Sequence, residues 1–242
     1  MTLIAKTNGN NGVTLIEFST VLGGFVTVRD RDAIRATASR FGDRWKQGYS
    51  GNTGVTKDAT EELNAKGVQV FEGVSGVLSS VRYDEGTDGR NVYRKVRIAL
   101  TAPEGRTTVT VPLSGDVAPR LLTKLANAVP GQFIQVKAWM STVEKGGITY
   151  ANASVSVKDA DNAEVPTSDL SAIVKAAREN ARTACASMGL DTSSTSKAVR
   201  TAVEKLLMDF VKQTIEPKFG APGSTDSVQP ESVEDESDMI AF

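Results

Sequence analysis

The sequence contains no histidine and only one cysteine among its 242 residues. Without histidine, the chain lacks the side chain that most often acts as a general base, and zinc sites that contain histidine are excluded. The lone Cys185 excludes an internal disulfide and is typical of a small buried residue. The phosphate-binding loop patterns GxxxxGK[ST] and GxGxxG are absent as well. We therefore expect a protein that is not an enzyme and that binds no metal or cofactor.

Long apolar runs are also missing. No stretch approaches the ~20 apolar residues of a membrane span, and residues 1–4 lack the features of a secretory signal. The overall composition, 40% hydrophobic and 24% charged, is that of a globular protein. We expect a cytoplasmic protein, in the host cytoplasm if a phage encodes it, that does not associate with a membrane.

The small net charge of −1 conceals two oppositely charged parts. Six of the 29 acids and none of the 28 bases lie beyond Lys218, so residues 1–219 carry a net charge of +5 and residues 220–242 carry −6. Such a division predicts a basic body that binds a polyanion and a tail that resembles one.

Four units follow from the sequence pattern. Residues 220–242 have too few apolar side chains to order and are predicted to be a disordered acidic tail. Residues 167–219 are predicted to be a helical hairpin, with helices near 168–188 and 196–216 that serve packing or self-association. Residues 1–67 are predicted to form an extension of strands and one helix, packed on the central unit.

The central unit, residues 68–166, alternates with period 2. Strands are predicted at 68–83, 91–101, 106–113, 132–143 and 148–157, with a helix at 116–129 before the fourth strand. Gly73 and Gly76 interrupt the first strand and indicate a bulge or sharp coil. Three strands, a helix and two strands is the order of the OB-fold, a five-stranded barrel that binds oligonucleotides. The predicted class is mainly β with added helices (α+β).

Strand alternation separates an inner face from an outer one. In the second strand Val92, Val96, Ile98 and Leu100 are predicted to be core, which places Tyr93, Lys95 and Arg97 outside. The fourth strand likewise places Lys137 and Trp139 on the outer face. Cations for phosphates and rings for unstacked bases are the combination that single-stranded DNA requires.

A second mixture of aromatic and basic residues, 40–49, is predicted to close over the bound DNA strand. The candidate DNA-binding residues are therefore Tyr93, Arg94, Lys95, Arg97, Arg106, Lys137, Trp139, Tyr150, Arg40, Arg44, Trp45 and Tyr49. Packing under the N-terminal segment is the alternative for Tyr93 and Trp139. Core packing is favoured over stacking for Phe41 and Trp45, and Phe133 is interpreted as structural.

The last residues, Glu234-Asp-Glu-Ser-Asp-Met-Ile-Ala-Phe, combine acids with an apolar ending. This segment resembles the C-terminal tip of bacterial and bacteriophage single-stranded DNA-binding proteins, although its ending lacks the proline of the bacterial tip. The strands and helix from residue 68 to 157 look like those of phage replicative single-strand binders. The resemblance implies an OB-fold body and a tip that recruits replication proteins such as a polymerase, helicase or primase. The candidate partner-binding residues are Asp235, Glu236, Asp238, Ile240 and Phe242.

Together these observations predict sequence-independent single-stranded DNA binding in phage replication or recombination, with a tail that also competes with DNA for the basic body. Alternatives are a strand-annealing recombination protein and a protein-interaction adaptor that binds no nucleic acid. A magnesium-dependent nuclease is more remote, because no pair of carboxylates is singled out by its spacing.

Overall fold

The computed structural model describes residues 4–5, 13–51, 54–88, 91–103, 105–193 and 196–220. Within these residues the chain is an α+β protein, as predicted, with one curled mixed sheet and six α-helices. The strands are β1 (Ile4–Ala5), β2 (Val13–Ser19), β3 (Gly24–Thr27), β4 (Val70–Phe71), β5 (Gly73–Asp88), β6 (Asn91–Ala102), β7 (Gly105–Pro112), β8 (Phe133–Lys145) and β9 (Ile148–Lys158). The helices are α1 (Arg31–Phe41), α2 (Asp43–Lys46), α3 (Gly54–Ala65), α4 (Val117–Leu125), α5 (Leu170–Ser187) and α6 (Lys197–Phe210).

The predicted succession of three strands, a helix and two strands is present as β5, β6, β7, α4, β8 and β9. Hydrogen bonding orders the sheet β4-β3-β2-β7-β6-β5-β8-β9, with β1 parallel to β5. Strand β7 pairs with β6 on one side and runs parallel to β2 on the other, so the N-terminal segment extends the sheet. The curl brings β3 beside β8, where the Met140 amide donates to the Gly23 carbonyl at 3.3 Å.

Strand β5 bends because it pairs with two different strands. Residues 73–77 pair with β8 and residues 77–88 pair with β6. The interruption predicted at Gly73 and Gly76 is not found there, because β5 begins at Gly73 and runs through Gly76. The break lies at Glu72, between β4 and β5, and the bulge lies at Ser79. Gly73 is needed for the close approach to β8, since a Cβ there would lie 2.8 Å from the Val136 carbonyl oxygen. A side chain at this position would push the two strands apart.

The interior of the curl is filled by the inward side chains of the strands and by α4. Val96, Ile98 and Leu100 are buried as predicted, and this core also contains Val109, Val111, Leu121, Leu122, Leu125, Ile134, Val136 and Ala138. Val92 was also predicted to be core, and this is wrong, because its side chain is 44% exposed. The reason is that β7 ends at Pro112, opposite Lys95, so the start of β6 extends past its neighbour.

The predicted helical hairpin packs onto the same core. Ser196 begins α6, and its side-chain oxygen accepts from the Val199 amide at 3.2 Å, as a helix N-cap does. Helix α6 continues through a π-helical turn, Val211–Ile215, into a 3-10 turn, Glu216–Phe219. The apolar stripes of the hairpin join the sheet core through Leu170, Val174, Val203, Leu207, Val211 and Ile215.

A smaller second core lies among the N-terminal helices. It contains Ile34 and Trp45 of α1 and α2 with Val55, Ala59 and Leu63 of α3. The sequence prediction placed one helix near Asp32 to Trp45, and the structure divides this helix at Gly42. Helix α3 was missed, because its short apolar stripe is interspersed with threonines and charged residues.

The predicted disordered tail and all five partner-binding candidates fall in residues 221–242, outside the described residues. Among the helices that are described, none combines the length and apolar character needed to cross a membrane.

We expect Leu207→Ala to lower the free energy of unfolding by about 2–5 kcal/mol, because the Leu207 side chain is fully buried between α6 and the sheet. The matched control is Leu190→Ala, at a leucine 52% exposed beyond α5, which should change stability by less than about 0.5 kcal/mol. Urea denaturation measures both. Equal effects would contradict the packing of the hairpin on the sheet.

Candidate nucleic-acid interface

Strand register aligns the outward side chains of five strands in rows across the sheet. One row runs Val13, Arg106, Thr101, Val77 and Phe133, from β2 through β7, β6 and β5 to β8. Every member of this row is exposed, including the Phe133 ring at 42%. The row therefore offers a ring and apolar side chains with a guanidinium among them, on the face opposite the core.

A second row places two arginines directly opposite each other. Arg82 of β5 pairs in register with Arg97 of β6, and both side chains are exposed. Asp84, at the next outward position of β5, contacts Arg97 with an Oδ2–Nε distance of 2.8 Å. Like charges directly opposite on a sheet are destabilising. The pair therefore creates a local excess of positive charge that an anion would relieve.

Lys95 was predicted to be an exposed cation in this series, and this is wrong. The residue is only 7% exposed, and its Nζ lies 3.8 Å from Oε1 of Glu17, which is also buried. The 3-10 turn Val28–Asp30 packs against β2 at this end of the face. Burial raises the pKa of Glu17, and the charges of Lys95, Arg31 and Arg97 oppose that shift. Lys95 thus neutralises a buried carboxylate and is unavailable to phosphate.

Arg94 was also among the candidates, but its side chain belongs to the opposite face. Its Nε lies 3.4 Å from Glu85, and its Nη1 lies 3.3 Å from Glu204 of α6. Nearby, the Tyr83 hydroxyl donates to Glu85, and the Lys212 ammonium stands 4.4 Å from the Tyr83 ring centroid. Burial and the neighbouring Glu85 raise the pKa of Tyr83 to about 12. This cluster attaches α6 to the β5–β6 hairpin, so the prediction that Arg94 is free for DNA is wrong.

The remaining aromatic candidates lie on the outer face in two places. Tyr93 is half-buried near the start of β6, opposite Gly86 of β5. Lys137 and Trp139 are half-buried on β8, and Trp139 pairs with Ser154 of β9. Tyr150 is exposed near the tip of the β8–β9 hairpin. The structure thus does not gather these rings into one cluster, since β5 lies between β6 and β8.

Residues 40–49, which were predicted to close over the DNA strand and are called the clamp below, make contacts within the protein instead. Trp45 is 4% exposed inside the second core, so it cannot stack on a base. The prediction that Trp45 binds DNA is therefore wrong. Arg40 and Arg44 flank the Phe41 ring at 5.7 and 5.4 Å, as in cation–π contacts.

The other clamp residues are engaged within the protein as well. Arg40 pairs with Glu62 at 2.6 Å and Arg44 pairs with Asp58 at 2.8 Å. Tyr49 packs against Gly23, and burial raises its pKa. These contacts tie α1 and α2 to α3 and leave little unbalanced positive charge for a phosphate.

Three outward residues of the candidate interface are not among the predicted DNA-binding residues. Arg82 was not selected, although its place next to the inward Val81 is an alternation signal. Phe133 was interpreted as structural because it follows a Pro-Gly turn, yet its ring is exposed. Val77 follows Gly76, and because glycines interrupt the alternation of side chains, the sequence does not indicate which face of the strand Val77 occupies.

Comparison with known protein families, curated proteins and solved structures finds no match for this chain.

We expect Lys95→Met to destabilise the protein by about 3 kcal/mol at pH 8, because it leaves Glu17 buried without its cation. A carboxyl whose pKa is raised on folding stabilises the fold below its ordinary value of 4.5 and loses that contribution as pH rises through the folded pKa. Without Lys95 the pKa of Glu17 rises further, so the loss at alkaline pH grows. Urea denaturation at pH 4 and pH 8 measures the difference.

The control for this prediction is the double variant Glu17→Gln with Lys95→Met, which removes both charges. It should regain stability at pH 8 relative to Lys95→Met alone. A Lys95→Met deficit of the same size at both pH values would contradict the proposed role of the pair.

Proposed function

We propose that the protein binds single-stranded DNA on the outer face of β2, β7, β6, β5 and β8, without sequence preference, in phage DNA replication or recombination. The observation that carries this proposal is the register that sets Arg82 opposite Arg97, with Arg106 on the neighbouring strand. Two like charges held opposite each other favour an anionic partner, and a phosphodiester chain supplies anions at regular spacing.

Rings and apolar surface distinguish single strands from other polyanions. The exposed Phe133, Val77 and Tyr150 lie on the same side of the sheet as the arginines, and flat rings stack on unpaired bases of any sequence. Recognition of duplex DNA more often uses a helix that enters the major groove. In this part of the chain the outward groups lie on strands, which favours an extended single strand.

We further propose that β5, β6, β7, α4, β8 and β9 form an OB-type unit. Its support is the element order and the bent β5, which pairs with both β6 and β8 as a strand shared between two halves of a barrel does. On this proposal β2 extends the binding face along β7. The resemblance of the acidic C-terminal segment to those of single-strand binders supports the same function.

The acidic segment completes the proposal. Its six carboxylates compete with DNA for the basic body, and its apolar residues Ile240 and Phe242 enter a pocket of a replication protein such as a polymerase, helicase or primase. DNA binding then exposes the segment to these partners.

We expect Arg82→Ala and Arg97→Ala each to weaken binding to oligo(dT), and each to reduce the slope of log affinity against log salt by about 0.7, because one phosphate contact is lost. Fluorescence anisotropy of a labelled oligo(dT), repeated from low to high salt, measures both quantities. The control is Lys57→Ala, at an exposed lysine of α3. If wild-type protein binds no oligo(dT), the adaptor alternative is favoured and the proposal fails.

Removing residues 231–242 should tighten binding to oligo(dT) at low salt, because five of the six competing carboxylates are removed. The gain should shrink as salt shortens the Debye length from about 10 Å at 0.1 M to about 3 Å at 1 M. A full-length variant in which those five acids become Asn or Gln keeps the length and should behave like the truncation. Unchanged affinity in both proteins would contradict the competition.

A further inference from the structure

A basic groove lies between α4 and α5, on the opposite side of the sheet from the arginine rows. Its cavity of about 530 Å³ has aliphatic walls that include Pro119, Val155 and Val174. Its cations come from both helices and are Arg120, Lys124, Lys175, Arg178 and Arg182. The lining contains two acids, Asp116 and Glu179, so positive charge is in excess.

The ion pairs of the groove leave part of this charge unbalanced. Arg178 contacts Asp116 at 2.8 Å, Arg182 contacts Glu179 at 2.8 Å, and Lys124 contacts Glu164 at 2.5 Å. Arg120 reaches only the neutral amide oxygen of Asn152, at 3.4 Å. Within the described residues, carboxylates therefore neutralise three of the five lining cations, and Arg120 and Lys175 supply the excess.

Arg182 carries a further sign of a missing acceptor. Its Nη1 pairs with Glu179, but its Nε is a buried donor for which the described part of the chain provides no hydrogen-bond partner. Buried donors in folded proteins are satisfied in the great majority of cases. An anion in the groove would complete the hydrogen bonding of this guanidinium.

The last described residues of the chain lie at one end of α4. The Lys218 ammonium donates to the carbonyl of Ala126, the residue that follows α4, and Gly220 comes two residues later. The chain therefore leaves the described fold at one end of α4, a helix about 13 Å long whose exposed side lines the groove. The six Cα–Cα steps from Gly220 to Asp226 span up to about 20 Å, which is sufficient to reach the groove.

We propose that residues 226–242 dock in the α4–α5 groove of the same molecule. The carboxylates meet Arg120, Lys175 and the Nε of Arg182, and the apolar side chains of Ile240 and Phe242 lie on the aliphatic walls. Tethering places the segment at roughly millimolar effective concentration, so weak contacts suffice. Docking hides the apolar residues from other proteins.

The groove chemistry favours an acidic peptide over nucleic acid. Its lining includes no aromatic ring on which a base could stack, and its aliphatic walls can be covered by the apolar side chains of a peptide. Docking changes the charge presented by residues 1–219 from +5 to a total of −1. The competition with DNA proposed above then acts through the electric field of the docked carboxylates, and the segment does not occupy the arginine rows. This consequence rests on the proposed function, whereas the docking itself does not.

Zero-length carbodiimide crosslinking of the full-length protein tests the docking, because it joins only carboxylates and amines in contact. Trypsin releases one peptide, residues 219–242, that carries all six acids of the segment, since no Lys or Arg follows Lys218. Mass spectrometry should find this peptide joined to Lys175 at least threefold more often than to Lys57 or Lys205, which are exposed lysines on α3 and α6. The variant Arg178→Glu with Arg182→Glu keeps Lys175 as a reporter and should abolish the preference.

Three outcomes overturn the docking. Equal crosslinking of the three lysines in wild-type protein means that the segment does not dock. Crosslinks between ¹⁵N-labelled and unlabelled chains in a mixture mean that the occupant comes from a second copy. If Arg120→Ala, which removes one charge from the groove, loses oligo(dT) affinity as strongly as Arg97→Ala, which also removes one charge, the groove is a nucleic-acid site. Failure of wild-type protein to bind oligo(dT) would end the proposed function and leave the crosslinking result intact.

Discussion

The bend in β5 is the constraint on which the rest of the structure depends. Residues 73–77 of β5 are hydrogen-bonded to β8, and residues 77–88 are hydrogen-bonded to β6. One strand therefore joins two parts of the sheet. The close approach at Gly73 and the bulge at Ser79 make this possible. The sheet curls at this strand. The sheet therefore has a concave side, which holds α4, and a convex side, on which the outward residues lie.

The two sides of the sheet use charge in different ways. On the concave side, Arg94 is held by Glu85 and Glu204, so its charge fastens a helix. On the convex side, Arg82 faces Arg97, and Asp84 pairs with Arg97. Lys95, only two residues from Arg97, is neutralised by Glu17. A count of basic residues therefore overstates the charge offered to a polyanion, and pairing in the fold decides which cations remain available.

Local pattern was sufficient for most of the fold. Period-2 alternation identified the strands and most of their inward residues, and 3–4 spacing identified α4, α5 and α6. The predictions that failed concern residues whose surroundings depend on other parts of the chain. Burial of Lys95 requires β2 and the turn after β3, which lie some 70 residues earlier in the sequence. Arg82 was missed because the extra residue at Ser79 shifts the alternation of a glycine-containing strand.

The final turns of the described chain are fastened at three points. Glu216 accepts from the Tyr83 amide, Lys212 covers the Tyr83 ring, and Lys218 reaches Ala126. A mechanical load applied to the residues beyond Gly220 would thus pass first into β5 and α4 rather than into α6 alone. Tyr83 is the immediate neighbour of Arg82, so traction on this end of the polypeptide is delivered to the strand that carries one of the opposed arginines.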